Sequence, residues 1–321
     1  MGPDSSQDAQ TVSELGEFGL IHRVTSGRAQ SSGTLLGPGD DAAVLAAPDG
    51  RVVTTTDLLV QNVHFRLDWS TPHQAGRKAI AVNLSDIAAM GAVPTGLLVG
   101  LGCPPDLPTS VVDELAAGMW EEARGVGVDI AGGDMVTATA LTISVTALGD
   151  LQGRLPVIRS GASPGEVVAV AGRLGWAAAG WAVLGRGFRS PVAVVGAHRV
   201  PEPPYAAGPQ AAAAGATSMV DVSDGLLADL DHIAEASGVG IDVRTDLLEI
   251  PQRLAEVASA LGKDARHWVL TGGEDQALVA TFSAGQPLPE GWTAIGSVIE
   301  GQGVTVDGAD YGQEQGWQHW R

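Results

Sequence analysis

The stretch SMVDVSDGLLADLDHIAEASG, residues 218–238, reads as strand, turn and helix in succession, with Ser223, Asp224 and Gly225 at the turn. A helix start offers unpaired backbone N–H groups and a positive dipole end, a natural seat for phosphate. Asp221 and Asp224 are spaced to hold a cation against such a phosphate. An ordinary N-cap explains Ser223 and Asp224 equally well. It does not explain Asp221, a carboxylate inside the strand.

Outward from this unit the chain alternates strand and helix. DDAAVLAAPDG (40–50) and RVVTTTDLLVQNVHF (51–65) read as strands joined by the turn at 48–50. STPHQAGRKAIAVNLSDIAAMG (70–91) reads as a helix that stops at Gly91, and PTSVVDELAAGMWEEARGVG (108–127) as an amphipathic helix. PTGLLVGLGCP (94–104), VDIAGGDMV (128–136) and TALTISVTALGD (139–150) have strand character. Turn signals crowd GDLQGRLPVIRSGASPGEVVAVAG (149–172), which places a boundary between an N-terminal domain, 1–152, and a C-terminal domain, 153–321. The fold class is α/β or α+β, with the sheet type open.

The 321 residues carry 18 Lys+Arg against 37 Asp+Glu, a formal net charge of −19. That balance argues against nucleic acid as a partner, because such binding relies on basic patches that neutralise phosphates. Small phosphorylated ligands remain open, provided divalent cations bridge them to the protein. The single cysteine, Cys103, excludes an internal disulfide framework and a cysteine-based zinc cluster. The first twenty residues lack the basic start of a signal peptide, and no long apolar run follows, so the expectation is a cytoplasmic protein without a membrane partner.

Acids recur at turns. LLGPGDDAAVL (35–45) sets Asp40 beside Asp41 after a Gly-Pro-Gly turn, where a solvated turn is the plain alternative. Asp57 follows Thr54, Thr55 and Thr56 inside a strand, where aspartate is disfavoured; the threonines can add hydroxyl or carbonyl oxygens to a hard cation. His64 lies seven residues on, and a lone histidine more often packs or faces solvent than binds. Asn83 and Asp86 share a helix face. In IAGGDMV, Gly132 and Gly133 permit close backbone approach ahead of Asp134, and LTGGEDQALVATF repeats the pattern with Glu274 and Asp275. Acids at six strand ends or helix starts, with few basic neighbours, are the pattern expected of loops that gather several Mg²⁺ ions and a polyphosphate. No Walker loop is present: the one Gly-Lys, in GKDARHW (262–268), lacks its glycines and its Ser/Thr.

The motifs GPGDDAAVL, TTTDLLVQNVHF, AVNLSDIAAMGA, AGGDMV, RSGASPGEVVAVAG, DVSDGLLADLDHIAEASG and LTGGEDQAL occur in the order seen in the thiamine-monophosphate kinase family, and the chain resembles that family over roughly residues 17–320. The family belongs to the superfamily of aminoimidazole-ribonucleotide synthetase, selenophosphate synthetase and a hydrogenase maturation factor. The resemblance implies a two-domain α/β protein, a homodimer formed through the N-terminal domains, and ATP and Mg²⁺ as phosphoryl donor and cofactor. The implied reaction is direct transfer from ATP to thiamine monophosphate. By the same resemblance Asp40, Thr55, Thr56, Asp57, Asp86, Asp134, Asp221 and Asp224 are the metal ligands, with Asp57, Asp86 and Asp224 central to catalysis. Gly133, Asp134, Arg159 and Ser223 are ATP contacts, and His64, Glu274 and Trp317, in preference to Trp320, form the thiamine monophosphate site. One departure stands out: Gly125 and Val126 occupy the place where the family carries an aromatic pair near adenine. The alternatives are another ATP-dependent enzyme of the superfamily, or a catalytically silent nucleotide-binding module. The sibling chemistries that require a cysteine near the N-terminus or at the C-terminus lack one here.

Overall fold

The computed structural model describes residues 11–15, 17–36 and 44–312. Asp40, Asp41, Trp317 and Trp320 lie outside the described residues. The chain forms two compact units, one of residues up to Asn83 together with Pro94–Asp150, the other of Leu84–Val93 together with Leu151 onward. A short piece of the N-terminal half, 84–93, therefore packs with the C-terminal half.

The first unit contains α1 (Val12–Leu15), α2 (Glu17–Thr25), β1 (Thr34–Leu36), β2 (Val44–Leu45), β3 (Val53–Val60), most of α3 (Pro72–Ala89), β4 (Val93–Cys103), α4 (Thr109–Gly125), β5 (Ile130–Thr137) and β6 (Thr142–Asp150). Its main sheet runs β3-β6-β4-β5, with β3 antiparallel to β6 and β4 parallel to β5. Along β6, Ile143, Val145 and Ala147 are buried while the intervening residues are half-exposed, the alternation of a sheet with one covered face. Its α4 buries Val112, Leu115, Met119 and Trp120. The two strands expected around the turn at 48–50 both form, but in different sheets: β2 pairs with β1, and β3 with β6.

The second unit contains a 3₁₀ turn (Arg159–Gly161), β7 (Val167–Ala171), α5 (Trp176–Gly185), α6 (Val192–Arg199), α7 (Ala207–Ala213), β8 (Ser218–Val222), α8 (Leu226–Ser237), β9 (Gly240–Val243), α9 (Gln252–Leu261), α10 (Ala265–Thr271), β10 (Ala277–Phe282), β11 (Trp292–Ile299) and β12 (Gly303–Val306). The sheet order is β12-β9-β11-β7-β10-β8, antiparallel throughout except for the β12–β9 pair. Val168, Val170, Val220, Val222 and Val279 pack on one side with Leu226, Leu230 and Ile233 of α8. Ala169, Ala171, Met219, Leu278 and Phe282 pack on the other with Ala88 and Ala89 of α3 and Ala207 and Ala211 of α7. Two covered faces explain why β8 and β10 carry apolar residues on both sides, with Asp221 the charged exception in β8. The mixed sheets make the class α+β in detail.

Candidate active site

The second unit brings two of the acidic turns together by register. Because β8 and β10 are antiparallel, with Asp221 opposite Leu278, the end of β8 lies beside the start of β10. The turns that follow and precede them are then hydrogen-bonded: Glu274 N donates to Ser223 O at 2.7 Å and Gln276 N to Val222 O at 2.9 Å. Asp221 is buried, on the sheet face opposite α8, and its Oδ2 accepts from the Ser85 hydroxyl at 3.0 Å. Ser85 sits in the last turns of α3, next to the half-buried Asp86.

Neither Ser223 nor Asp224 caps α8. The cap position is Gly225, at φ 134°, which has no side chain with which to cap the helix. Only glycine takes that backbone shape readily, and a Cβ at this point would stand 2.6 Å from Thr271 O. The plain capping explanation of the two residues therefore does not apply. What holds the turn is Asp229, which sequence reasoning missed: one oxygen, Oδ2, accepts from both Asp224 N (3.1 Å) and Gly225 N (3.0 Å). Burial pushes its carboxyl up to about 7, against the opposing pull of those N–H groups and of Arg159. Arg159 is exposed, and its carbonyl is fixed by the hydroxyls of Ser218 (3.0 Å) and Ser237 (2.7 Å).

Glu274 has a left-handed φ of 68°, which turns successive side chains in different directions. Its neighbour Asp275, read from the sequence as part of the same Gly-Gly-acid turn, is instead buried and closes the start of α5. It accepts from Gly175 N and, at 2.8 Å, from Ala177 N. Burial pushes this carboxyl too up to about 7.

In the first unit, Asp57 projects from β3 on the covered side, opposite Val145. Its backbone N–H donates to Asn83 Oδ1 at 2.9 Å, and Asn83 Nδ2 donates to Ala79 O at 2.9 Å. Asn83, read from the sequence as a face-mate of Asp86, thus braces β3. Burial raises the Asp57 carboxyl above the usual range. Thr56 points to the opposite side of the strand from Asp57 and donates its hydroxyl to Val145 O at 2.9 Å, so a hydroxyl on the Asp57 side comes from Thr55. Gly133 lies where a Cβ would meet Val99 O at 1.9 Å. The register sets Asp134 opposite Gly100. It lies in the row of alternate residues that ends in exposed Val136, away from the covered side on which Asp57 sits.

Val60 N donates to His64 Nδ1 at 3.0 Å, which leaves the proton of the neutral ring on Nε2. The buried Lys78 donates to His64 O at 3.1 Å. His64 is therefore a fixed donor and not an incidental surface histidine.

The donors of each unit fit magnesium by their chemistry: carboxylates and hydroxyls, with Asp57 in the first unit and Asp221 in the second partly stripped of water. Among the described residues no three His, Cys, Asp or Glu side chains enclose an ion by themselves. Mg²⁺ commonly keeps water and shares its ligands with the phosphates it carries, so an open donor set is in character.

Two units, each with a mixed sheet and each carrying carboxylates beside glycine turns, define an AIR-synthase-like protein. The model of the AIR synthase related protein N-terminal domain matches residues 39–151, and that of its C-terminal domain matches 163–308. The thiamine-monophosphate kinase of Mycobacterium tuberculosis is 52% identical over 313 residues, 97% of this chain and 93% of its own. The Bacillus subtilis protein of that name is 37% identical over 84% of each. Among solved structures, one described as AaThiL complexed with AMPPCP and TMP has a TM-score of 0.80 and 32% identity, covering 97% of this chain and 99% of that one. The thiamine-monophosphate kinase of Stenotrophomonas maltophilia K279a has a TM-score of 0.77 and 35% identity over 90% and 95%. The chain belongs to the AIR synthase related family and, within it, to the thiamine-monophosphate kinases.

Proposed function

We propose that this protein transfers the γ-phosphoryl group of ATP to thiamine monophosphate, releasing ADP and thiamine diphosphate. The observation that carries the reading is the hydrogen-bonded pair of acidic turns, 222–225 against 272–276, in a chain 52% identical to a kinase of that name. The acceptor is a phosphate oxygen, already anionic near neutral pH, so no strong general base is required. The barrier is the approach of two anions. Magnesium, when bound, neutralises phosphate charge and so lowers that barrier.

In this reading Asp40, Thr55, Asp57, Asp86, Asp221 and Asp224 supply the metal-facing oxygens, with Asp57, Asp86 and Asp224 the most important for turnover; Thr56 and Asp134, which the resemblance adds, have their side chains on the other side of the first unit's sheet from Asp57. Arg159 provides a guanidinium for phosphate, and Ser223 and Gly133 give polar and backbone contacts to the nucleotide. His64, through its Nε2–H, and Glu274 hold the acceptor together with Trp317. Leu58, Leu98 and Val136 are exposed on the uncovered side of the first unit's sheet, which supports a homodimer formed through that face. No helix among the described residues is long and apolar enough to cross a membrane, and we place the protein in the cytoplasm.

The test is incubation of the purified protein with MgATP and thiamine monophosphate, with products separated by chromatography. Equimolar ADP and thiamine diphosphate, abolished by EDTA and restored by excess Mg²⁺, is the expected result. ADP without thiamine diphosphate, or no turnover at all, overturns it.

A further inference from the structure

We propose that His198 is a positioning residue of the acceptor site, acting by holding the Glu274 carboxylate; this rests on the reading above, in which Glu274 contacts thiamine monophosphate. His198 lies on α6 and is buried, at 7% exposure, whereas the Glu274 side chain is 38% exposed. Nδ1 of the one is 3.1 Å from Oε2 of the other. A buried imidazole thus stands against a solvent-facing acid, and the acid sits on the turn that is bonded to Ser223.

The ring is held from behind. Where α5 meets α6, a Cβ on Gly180 would stand 2.1 Å from Val194 O and 2.8 Å from His198 Cβ, so the two helices touch backbone to backbone. The start of α5 is in turn bonded by Asp275, the residue next to Glu274. The contacts therefore close a circuit: Glu274 to His198, α6 to α5, α5 to Asp275, and back along the chain. Each of the two adjacent acids fastens one side of the same helix pair.

A buried imidazole in contact with one carboxylate oxygen at 3.1 Å limits where that carboxylate can swing, and so how the other oxygen is presented. Such a fixed acid suits a ligand with a cationic ring and amino N–H donors, which thiamine monophosphate has. Without the imidazole that restraint is lost, and the ordering it supplied must then come out of binding energy.

The experiment compares His198→Phe, which keeps an aromatic ring but no donor, with His198→Asn, whose amide nitrogen stands near the place of Nδ1. KM is measured separately for thiamine monophosphate and for ATP. The Phe variant is expected to raise the acceptor KM roughly tenfold, within the range for coupling between two residues in contact, with the ATP KM changed less than about twofold. The Asn variant should recover a substantial part of the loss. In a Glu274→Gln background the Phe change should add little, because its partner is already neutral. An unchanged acceptor KM, equal rises for both substrates, no recovery with Asn, or an undiminished effect in the Gln background each overturns the proposal. So does failure of both His198 variants to fold, which would make the residue a packing element. Failure of the underlying kinase reading shows separately, as absence of thiamine diphosphate from the unmodified enzyme.

Discussion

Replacing Asp229 with asparagine separates the charge of this residue from its hydrogen bonds. Both bonds fall on a single oxygen, so the amide oxygen of asparagine can accept the same two N–H groups, from Asp224 and Gly225. Only the ionisation is lost. In the folded chain burial lifts the carboxyl from 3.8 to about 7, roughly three pKa units, or about 4 kcal/mol at ~1.4 kcal/mol per unit. The folded state holds this proton more tightly than the unfolded state. The associated stability is therefore complete below pH 3.8, declines as the pH rises toward 7, and is gone above that. Asp229→Asn removes the decline. In urea titrations with EDTA present, to keep cations off the neighbouring Asp224, the ionisation should separate the two proteins by only about 1 kcal/mol near pH 4.5 and by about 4 kcal/mol at pH 8, the variant being the more stable. Asp229→Ala, which strands both N–H groups, should instead lose about 1–3 kcal/mol for each of them. Parallel stability curves for wild type and Asp229→Asn from pH 4.5 to 8 would refute the assignment of a buried, desolvated carboxylate.

Three further outcomes follow from the same geometry. Asp57→Ala should abolish turnover while leaving the melting temperature equal or higher, since it removes a carboxyl that burial disfavours; appreciable turnover, or a marked fall in melting temperature, counts against its place among the metal ligands. Gly225→Ala forces a side chain into φ 134° and to within 2.6 Å of Thr271 O, and should destabilise by about 1–3 kcal/mol or more, with turnover lost, as read by thermal unfolding and the product assay. Asn83→Ala leaves the Asp57 N–H without its acceptor, at a cost of about 1–3 kcal/mol in urea unfolding, and lowers the rate by loosening the Asp57 strand.

The strand–turn–helix at 218–238 was legible because its signals are local: an apolar run, a Ser-Asp-Gly turn and a helix stopped by Gly238. The oddity of Asp221 was legible too, as a carboxylate where the pattern demanded an apolar residue. Its partner Ser85 was not, being 136 positions away. Asp229 looks in sequence like an ordinary polar residue of a helix, and Asp275 like one more acid of a ligand-facing turn; only the packing of α8 and α5 shows that both are buried braces. Thr55 and Thr56 are equivalent to a reader of composition, and strand alternation separates them only once the covered face of β3 is known. The pairing of β2 with β1 escaped because a turn motif fixes the bend of the chain but not the partner of each strand. The same holds for 84–93, which continues a helix of one unit while packing with the other.

The bond between Glu274 N and Ser223 O has an evolutionary consequence. The two turns are separated by about fifty residues, yet their meeting depends only on the alignment of β8 with β10. Between those strands the chain runs through α8, β9, α9 and α10, which can lengthen, shorten or exchange loops without moving either turn. A single-residue insertion within β8 or β10 is a different matter. It would slip the register, carry Asp221 to the opposite face of the sheet and part the two turns in one step. Natural variation in length is therefore expected in the loop at 244–251 and at 262–264, and to be absent from 218–225 and 272–282.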